Sequence, residues 1–360
     1  MKIAICTNFF HPSIGGCETV ILKIAQFFSK NHEVFIFTRH LMNRKERKLN
    51  NITIIGYDYR NQNNFIHSLK KFDPDLTLIY SDLFDFFHIT IEVSKKTCVF
   101  LGGANRYFDR VSSRQMFSSQ LSKIDSFVCH TKCERDYKLT KQLKIEDRTH
   151  IIPIGVDFEE FDTNETTRND LMPELSEYPW ILNVANFFPG KGQDILIDIL
   201  SRIKIRPIVY IQACSSISFS IGKQLEDIWK HKSKKLKDIH VVFAKDKSRK
   251  DIVSFFKNSN VFAFPSLKES YGIVFIESLV SSLPWVSTNI GVSPELSGGK
   301  CIAAAKSPKY ESIFEERVLS RFAQSIEDSI NNVRLGEEGR KQAEKLFKWD
   351  DVLKQYECLL

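Results

Sequence analysis

The chain lacks any apolar run of the ~18 or more residues that a membrane-spanning helix requires, and nothing in it reads as a bilayer segment. Its opening, Met1 to Cys6, is apolar for only a few residues before Asn8, His11 and Pro12. That is too short for the core of a signal peptide, so a cytoplasmic protein is expected. No paired-cysteine framework is present. The eight cysteines, Cys6, Cys17, Cys98, Cys129, Cys133, Cys214, Cys301 and Cys358, are scattered, and buried free thiols are the expectation. Cys129-His130-Thr131-Lys132-Cys133 invites a metal reading. No second pair follows at zinc-site spacing, which favours ordinary packing. The chain also has no internal repeat, no low-complexity tract, no GxGxxG dinucleotide fingerprint and no GxxxxGK[ST] triphosphate loop.

What is present is a soluble globular composition. Over 360 residues, 42% are hydrophobic and 26% charged, enough for two domains of ordinary size. Phe is abundant, at 29 residues, as core filling requires. The net charge of +7 is shared between the two halves. Locally it gathers at Arg39, Arg44, Lys45, Arg47 and Lys48, and again at Lys230, Lys232, Lys234, Lys235 and Lys237. Such clusters suit an anionic membrane or a solvated helix end equally well. No nucleic-acid-binding module accompanies them, so nucleic acid is not an expected partner.

Short β-branched and aromatic runs alternate with helix-length segments. Ile3–Cys6, Val34–Thr38, Ile52–Ile55, Leu76–Tyr80, Thr97–Phe100, Phe127–Cys129 and His150–Ile152 read as strands. Most are apolar on both faces, as in a parallel sheet covered by helices. The polar stretch beginning near Thr163 interrupts this rhythm, which restarts at Trp180–Val184. The expected organisation is an N-terminal α/β domain over 1–165, a linker over 166–178 and a second α/β domain over 179–345. A final helix over 346–360 is expected to return to the first domain. Within the tail, Gly336 and Gly339 are expected to break a helix. Two such open sheets would place ligands in loops at the carboxyl ends of their strands.

Three loops of that kind carry chemistry. The first includes Gly15 and Gly16 before a helix, which suits either phosphate contact or a tight turn. The second runs Asn186-Phe187-Phe188-Pro189-Gly190-Lys191-Gly192-Gln193. Lys191 there suits a leaving diphosphate, or simply solvent. The third runs from Phe264 to Glu277 and includes Glu269, Tyr271, Gly272, Ile273 and Val274. Glu269 and Glu277 could accept sugar hydroxyls, with free N–H groups at Gly272, Ile273 and Val274 between them to receive a phosphate. Alternatively Glu269 caps a helix and Glu277 lies on the surface. A buried Glu277 between Ile276 and Leu279 calls for a compensating group, and a ligand is the expected one.

Together these segments resemble the retaining GT-B glycosyltransferases of glycosyltransferase family 4. Pro12-Ser13-Ile14-Gly15-Gly16-Cys17-Glu18 is similar to the family's glycine-rich first loop, and Ile151-Ile152-Pro153-Ile154-Gly155-Val156-Asp157 to its crossover segment. Val184 to Gly192 is similar to its donor-phosphate loop. Glu269, Gly272 and Glu277 match its E-x7-E region, and Pro284, Gly291 and Glu295 the stretch beyond. The resemblance implies two facing Rossmann-like domains with a deep interdomain cleft. It implies sugar transfer from a nucleotide-diphosphate-sugar to a glycan or lipid-linked acceptor, without a divalent metal or other cofactor. It places Glu269 on the transferred sugar, Glu277 on the ribose, Lys191 and the Gly272-Ile273-Val274 amides on the diphosphate, and Gly15-Gly16 over phosphate and sugar. Surface-polysaccharide assembly at the inner face of the plasma membrane is the implied setting. Asn186 stands where many members carry arginine, and Leu101-Gly102-Gly103-Ala104 where many place a histidine. Those departures keep a noncatalytic GT-B scaffold, or a related nucleotide-sugar epimerase or hydrolase, as alternatives.

Overall fold

The computed structural model describes residues 1–8, 10, 15–39, 47–58, 60–80, 87–102, 118–133, 135–216, 220–303 and 315–360. The chain divides into two compact units. One comprises Met1–Gly155 with Trp349–Leu360, the other Val156–Lys348.

In the first unit, strands β1 (Lys2–Thr7), β2 (Glu33–Arg39), β3 (Lys48–Leu49), β4 (Ile52–Tyr57), β5 (Leu76–Tyr80), β6 (Thr97–Phe100), β7 (Ser126–Cys129) and β8 (Thr149–Ile151) form one sheet. Its order is β3-β4-β2-β1-β5-β6-β7-β8, parallel except for the β3–β4 pair. The apolar runs explain this. β5, β6 and β7 are buried at every position, as strands covered on both faces must be. Phenylalanines fill one side, where Phe35 stacks on Phe72 at 3.9 Å and Phe37 meets Phe65 edge-on.

In the second unit, β9 (Trp180–Val184), β10 (Ile208–Cys214), β11 (Ile239–Lys245), β12 (Val261–Phe264), β13 (Trp285–Thr288) and β14 (Gly299–Ile302) form a parallel sheet. The order is β11-β10-β9-β12-β13-β14. Numbered within the unit, this is the 3-2-1-4-5-6 order of a Rossmann domain, whose ligand crevice lies where the order reverses. Here that point falls between the carboxyl ends of β9 and β12.

Two sequence expectations are corrected. The stretch read as a linker, 166–178, is built into the second unit, whose boundary lies earlier, at Gly155/Val156. Its polar residues serve local structure. Thr167 and Asp170 form a capping box on the helix Arg168–Leu171. The Arg168 guanidinium donates to the carbonyls of Asn258, Ser176 and Tyr178 and to Asn260 Oδ1, and lies over the Trp180 ring. Gly336 and Gly339 break nothing either, since the helix Val333–Leu346 runs through both. They are small because the neighbouring backbone is close. A Cβ on Gly336 would stand 2.0 Å from the Ser282 carbonyl oxygen.

Candidate active site

The loops after β9 and β12 are fastened to each other at the switch point. Leu267 N donates to Gly190 O at 2.7 Å, and Ser266 Oγ donates to the same oxygen at 3.1 Å. Gly192 adopts φ +74°, and a Cβ there would lie 2.2 Å from Pro265 O. Only glycine allows that approach. Lys191 is thereby held between two anchored glycines. Its Nζ lies 2.5 Å from Glu269 Oε2, with the side chains 23% and 16% exposed. It also lies over the Phe264 ring, 5.6 Å from the centroid.

Glu269 is positioned by further glycines. Gly272 (φ +91°) and Gly291 (φ +55°) leave space that its stem fills, since a Cβ on either would come within 3.1 or 3.2 Å of Glu269 Cγ. Val292 N donates to Tyr271 O at 2.9 Å, joining the next loop. Tyr271 is buried. Gly272 then starts the helix Ile273–Val280 with no side chain capping it. The N–H groups of the first turn, at half-buried Ile273 and Val274, therefore stand at an uncapped helix N-terminus, an arrangement that favours an anion.

Glu277 is the fifth residue of that helix, little more than one turn in, and is 6% exposed. Its compensating group is a protein side chain that the sequence reading missed. Arg249 Nη1 donates to Glu277 Oε1, while Arg249 Nε donates to Glu160 Oε2 at 2.9 Å. Burial alone would lower the Arg249 pKa. The Glu277 and Glu160 carboxylates outweigh it and hold the pKa above its ordinary value. Arg249 opens the helix Arg249–Asn258, whose start is set by a Ser248/Asp251 capping box. The Ser-x-x-Asp pattern was visible in the sequence; the partner 28 positions away was not.

Asn186 is exposed, and its Oδ1 accepts a hydrogen bond from Ser215 N at 2.8 Å, tying the loop after β9 to the loop after β10. Gly15 and Gly16 belong to the first unit. Gly15 is extended, at φ −172°, and caps the helix Gly16–Phe28 without a side chain. Pro12, Ser13 and Ile14 lie outside the described residues, as do Gly103 and Ala104. His130 is buried, donates from Nδ1 to Ile152 O at 2.9 Å and pairs with Tyr80 OH at 3.3 Å. Desolvation pushes its pKa down to about 4. Among the described residues, no group of three or more His, Cys, Asp or Glu side chains is placed to hold a metal ion.

The lysine–glutamate pair and the uncapped helix thus stand at the switch point of a Rossmann order, where ligands of doubly wound folds sit. Over both units, the fold is GT-B. Sucrose-phosphate synthase from Thermosynechococcus elongatus superposes with a TM-score of 0.80 at 17% identity, over 99% of this chain and 98% of that one. HepE from Anabaena, solved with UDP and glucose, gives 0.74 at 13% identity over 99% and 98%. Residues 169–342 match the family model of glycosyl transferases group 1. A GDP-mannose-dependent alpha-(1-6)-phosphatidylinositol monomannoside mannosyltransferase of Mycobacterium tuberculosis is 24% identical over 214 residues, 56% of this chain and 52% of that protein. The chain thus spans about half the length of the first curated relatives it matches.

Proposed function

We propose that the chain transfers a hexose from a nucleotide-diphosphate-sugar to a hydroxyl of a glycan or lipid-linked acceptor, with retention of anomeric configuration. The observation that carries this reading is the Lys191–Glu269 pair at the switch point, beside the uncapped Gly272 helix. In this reading Lys191 and the first-turn amides take the diphosphate as negative charge grows on it. Glu269 accepts hydroxyls of the transferred sugar, and Glu277 those of the ribose. Neither carboxylate acts as a covalent nucleophile. The reaction proceeds on one face through an oxocarbenium-like ion pair, with the departing phosphate accepting the acceptor's proton. The protein supplies alignment and charge. No divalent metal is required, because both carboxylates are committed to sugar hydroxyls.

UDP and glucose in the HepE structure and GDP-mannose in the mycobacterial relative's name make those two nucleotides the first donors to test. The phosphatidylinositol monomannoside in that relative's name supports a lipid-linked acceptor. Among the described residues no helix is long and apolar enough to cross a membrane, so peripheral contact is the proposed mode. Lys234, Lys235 and Lys237 are exposed for it, whereas Lys230 and Lys232 are paired with Glu226, Asp194 and Asp198. The test is nucleoside diphosphate release from UDP- and GDP-sugars, with and without lipid-linked acceptors, in EDTA and in Mg²⁺. Acceptor-dependent release in EDTA supports the reading. Release without acceptor makes the chain a hydrolase, and loss of release on chelation overturns the metal-free mechanism.

A further inference from the structure

A buried carboxylate needs a partner, and the identity of that partner decides which of its lone pairs remain for a ligand. The Glu277 side chain is 8% exposed. Arg249 takes one position on Oε1. Among the described residues no hydrogen bond reaches Oε2. A side chain more than nine-tenths buried therefore keeps acceptor capacity that the protein does not use.

Arg249 is itself fixed from three directions. Its first-turn position is set by the Ser248 cap. Its Nε and Nη2 both meet Glu160 Oε2 at 2.9 Å. Its guanidinium lies over the Phe161 ring, 5.5 Å from the centroid. A planar fork can bridge two carboxylates in this way, whereas an ammonium is a single point of charge. The guanidinium also lines a surface cavity of about 260 Å³ with Glu160, Thr163, Asn164, Lys250 and Val253. That is smaller than the roughly 300–1,000 Å³ of small-molecule sites, so Arg249 is assigned to Glu277 in preference to a ligand of its own.

We propose that Arg249 is a positioning residue that holds the Glu277 carboxylate ready for the vicinal hydroxyls of a ribonucleotide, with Glu160 anchoring Arg249 in turn. This rests on the nucleotide-sugar reading of the site. It makes discrimination between ribose and a sugar lacking both hydroxyls depend on a residue that touches neither.

The experiment is calorimetric titration of UDP and GDP, and of their 2′,3′-dideoxy forms, into the full chain and its R249A, R249K, E277Q and R249A/E277Q variants. Wild type should prefer the ribose form of the nucleotide it binds. Arg249→Ala should weaken that form by about tenfold, the scale of one hydrogen bond to a charged group, and leave the dideoxy form unchanged. Arg249→Lys should recover part of the preference, and R249A/E277Q should bind no worse than E277Q. Equal weakening of both forms by Arg249→Ala would show a merely structural role and overturn the proposal. So would an unchanged preference in both Arg249 variants, which include the milder lysine in case alanine does not fold. Wild type that binds no nucleotide in either form overturns the glycosyltransferase reading itself, and this proposal with it.

Discussion

The Lys191 ammonium rests 2.5 Å from the Glu269 carboxylate, with both side chains largely withdrawn from water. A diphosphate that binds here meets a cation already engaged by an anion of the protein. Lys191 is also the only lysine or arginine between Asn186 and Gln193. The helix at Gly272 offers dipoles but no full charge. Removing Lys191 therefore removes the loop's only cation and leaves Glu269 with only the Ser270 N–H donating to it. Lys191→Ala is expected to lower turnover at saturating donor by at least about 10²-fold, or roughly 2.7 kcal/mol of barrier. Lys191→Arg should recover only part, because a fork and a compact ammonium do not place charge at one point. Near-normal turnover in Lys191→Ala would assign the phosphate charge to another group.

The two glutamates should separate by ligand. Glu277→Ala is expected to weaken binding of a free nucleoside diphosphate by roughly 1–3 kcal/mol, the cost of unpaired polar groups. It also leaves Arg249 with Glu160 alone. Glu269→Ala should scarcely alter that affinity while damaging transfer, since a free nucleoside diphosphate carries no transferred sugar. Calorimetry with UDP and GDP, beside initial rates, checks the division. Equal large losses of affinity in both variants would contradict it.

The legible parts of this chain were those with local causes. Leu76–Tyr80 and Thr97–Phe100 were readable as strands to the residue, because apolar runs covered on both faces leave no other reading. The loops bearing Lys191 and Glu269 were legible because both follow such strands. Their ion pair spans 78 positions and has no local signature. Arg249 was hidden for the same reason, and Glu277 was accordingly assigned a ligand as its sole compensation. β14, Gly299–Ile302, has a weak strand pattern and is held at the sheet's edge by pairing with β13. The polar stretch from Thr163 into 166–178 looked like linker, yet Asn164 and Arg168 spend that polarity on the second unit's own backbone.

His130 predicts a pH dependence of stability. Its pKa falls from 6.5 to about 4 through burial, partly offset by the Ile152 carbonyl. The folded state thus favours the neutral ring, and the unfolded state binds the proton more readily. His130 should contribute full stability above pH 6.5 and lose it as pH falls toward 4. At about 1.4 kcal/mol per unit, the loss is on the order of 3 kcal/mol. His130→Asn, which keeps a side-chain donor for the Ile152 carbonyl, should flatten denaturant-unfolding stability across that window. An unchanged slope would show that other groups set the acid sensitivity.

Gly336 offers a test in which the usual sign of a substitution reverses. Alanine in place of glycine inside a helix ordinarily stabilises by about 1 kcal/mol, because it restricts the unfolded chain. Gly336 lies in the helix Val333–Leu346 and is buried. A Cβ there would stand 2.0 Å from Ser282 O and 2.9 Å from Ser282 C. Those are backbone atoms following the helix Ile273–Val280, and Ser282 N donates back to Leu279 O at 3.0 Å. No rotamer change can clear them, so one of the two helices must shift. Overpacking of this kind costs about 1–3 kcal/mol, which exceeds the propensity gain. At Gly339 the nearest groups are Leu279 Cγ at 3.2 Å and Gly298 Cα at 3.4 Å, so alanine there should cost less. Exposed Glu337→Ala, on the same helix, should stay within about 0.5 kcal/mol of wild type. Thermal unfolding should rank Gly336→Ala below Gly339→Ala and both below Glu337→Ala, at roughly 2–4 °C per kcal/mol for a domain of this size. A melting temperature for Gly336→Ala at or above wild type would show that the two helices are not packed this closely.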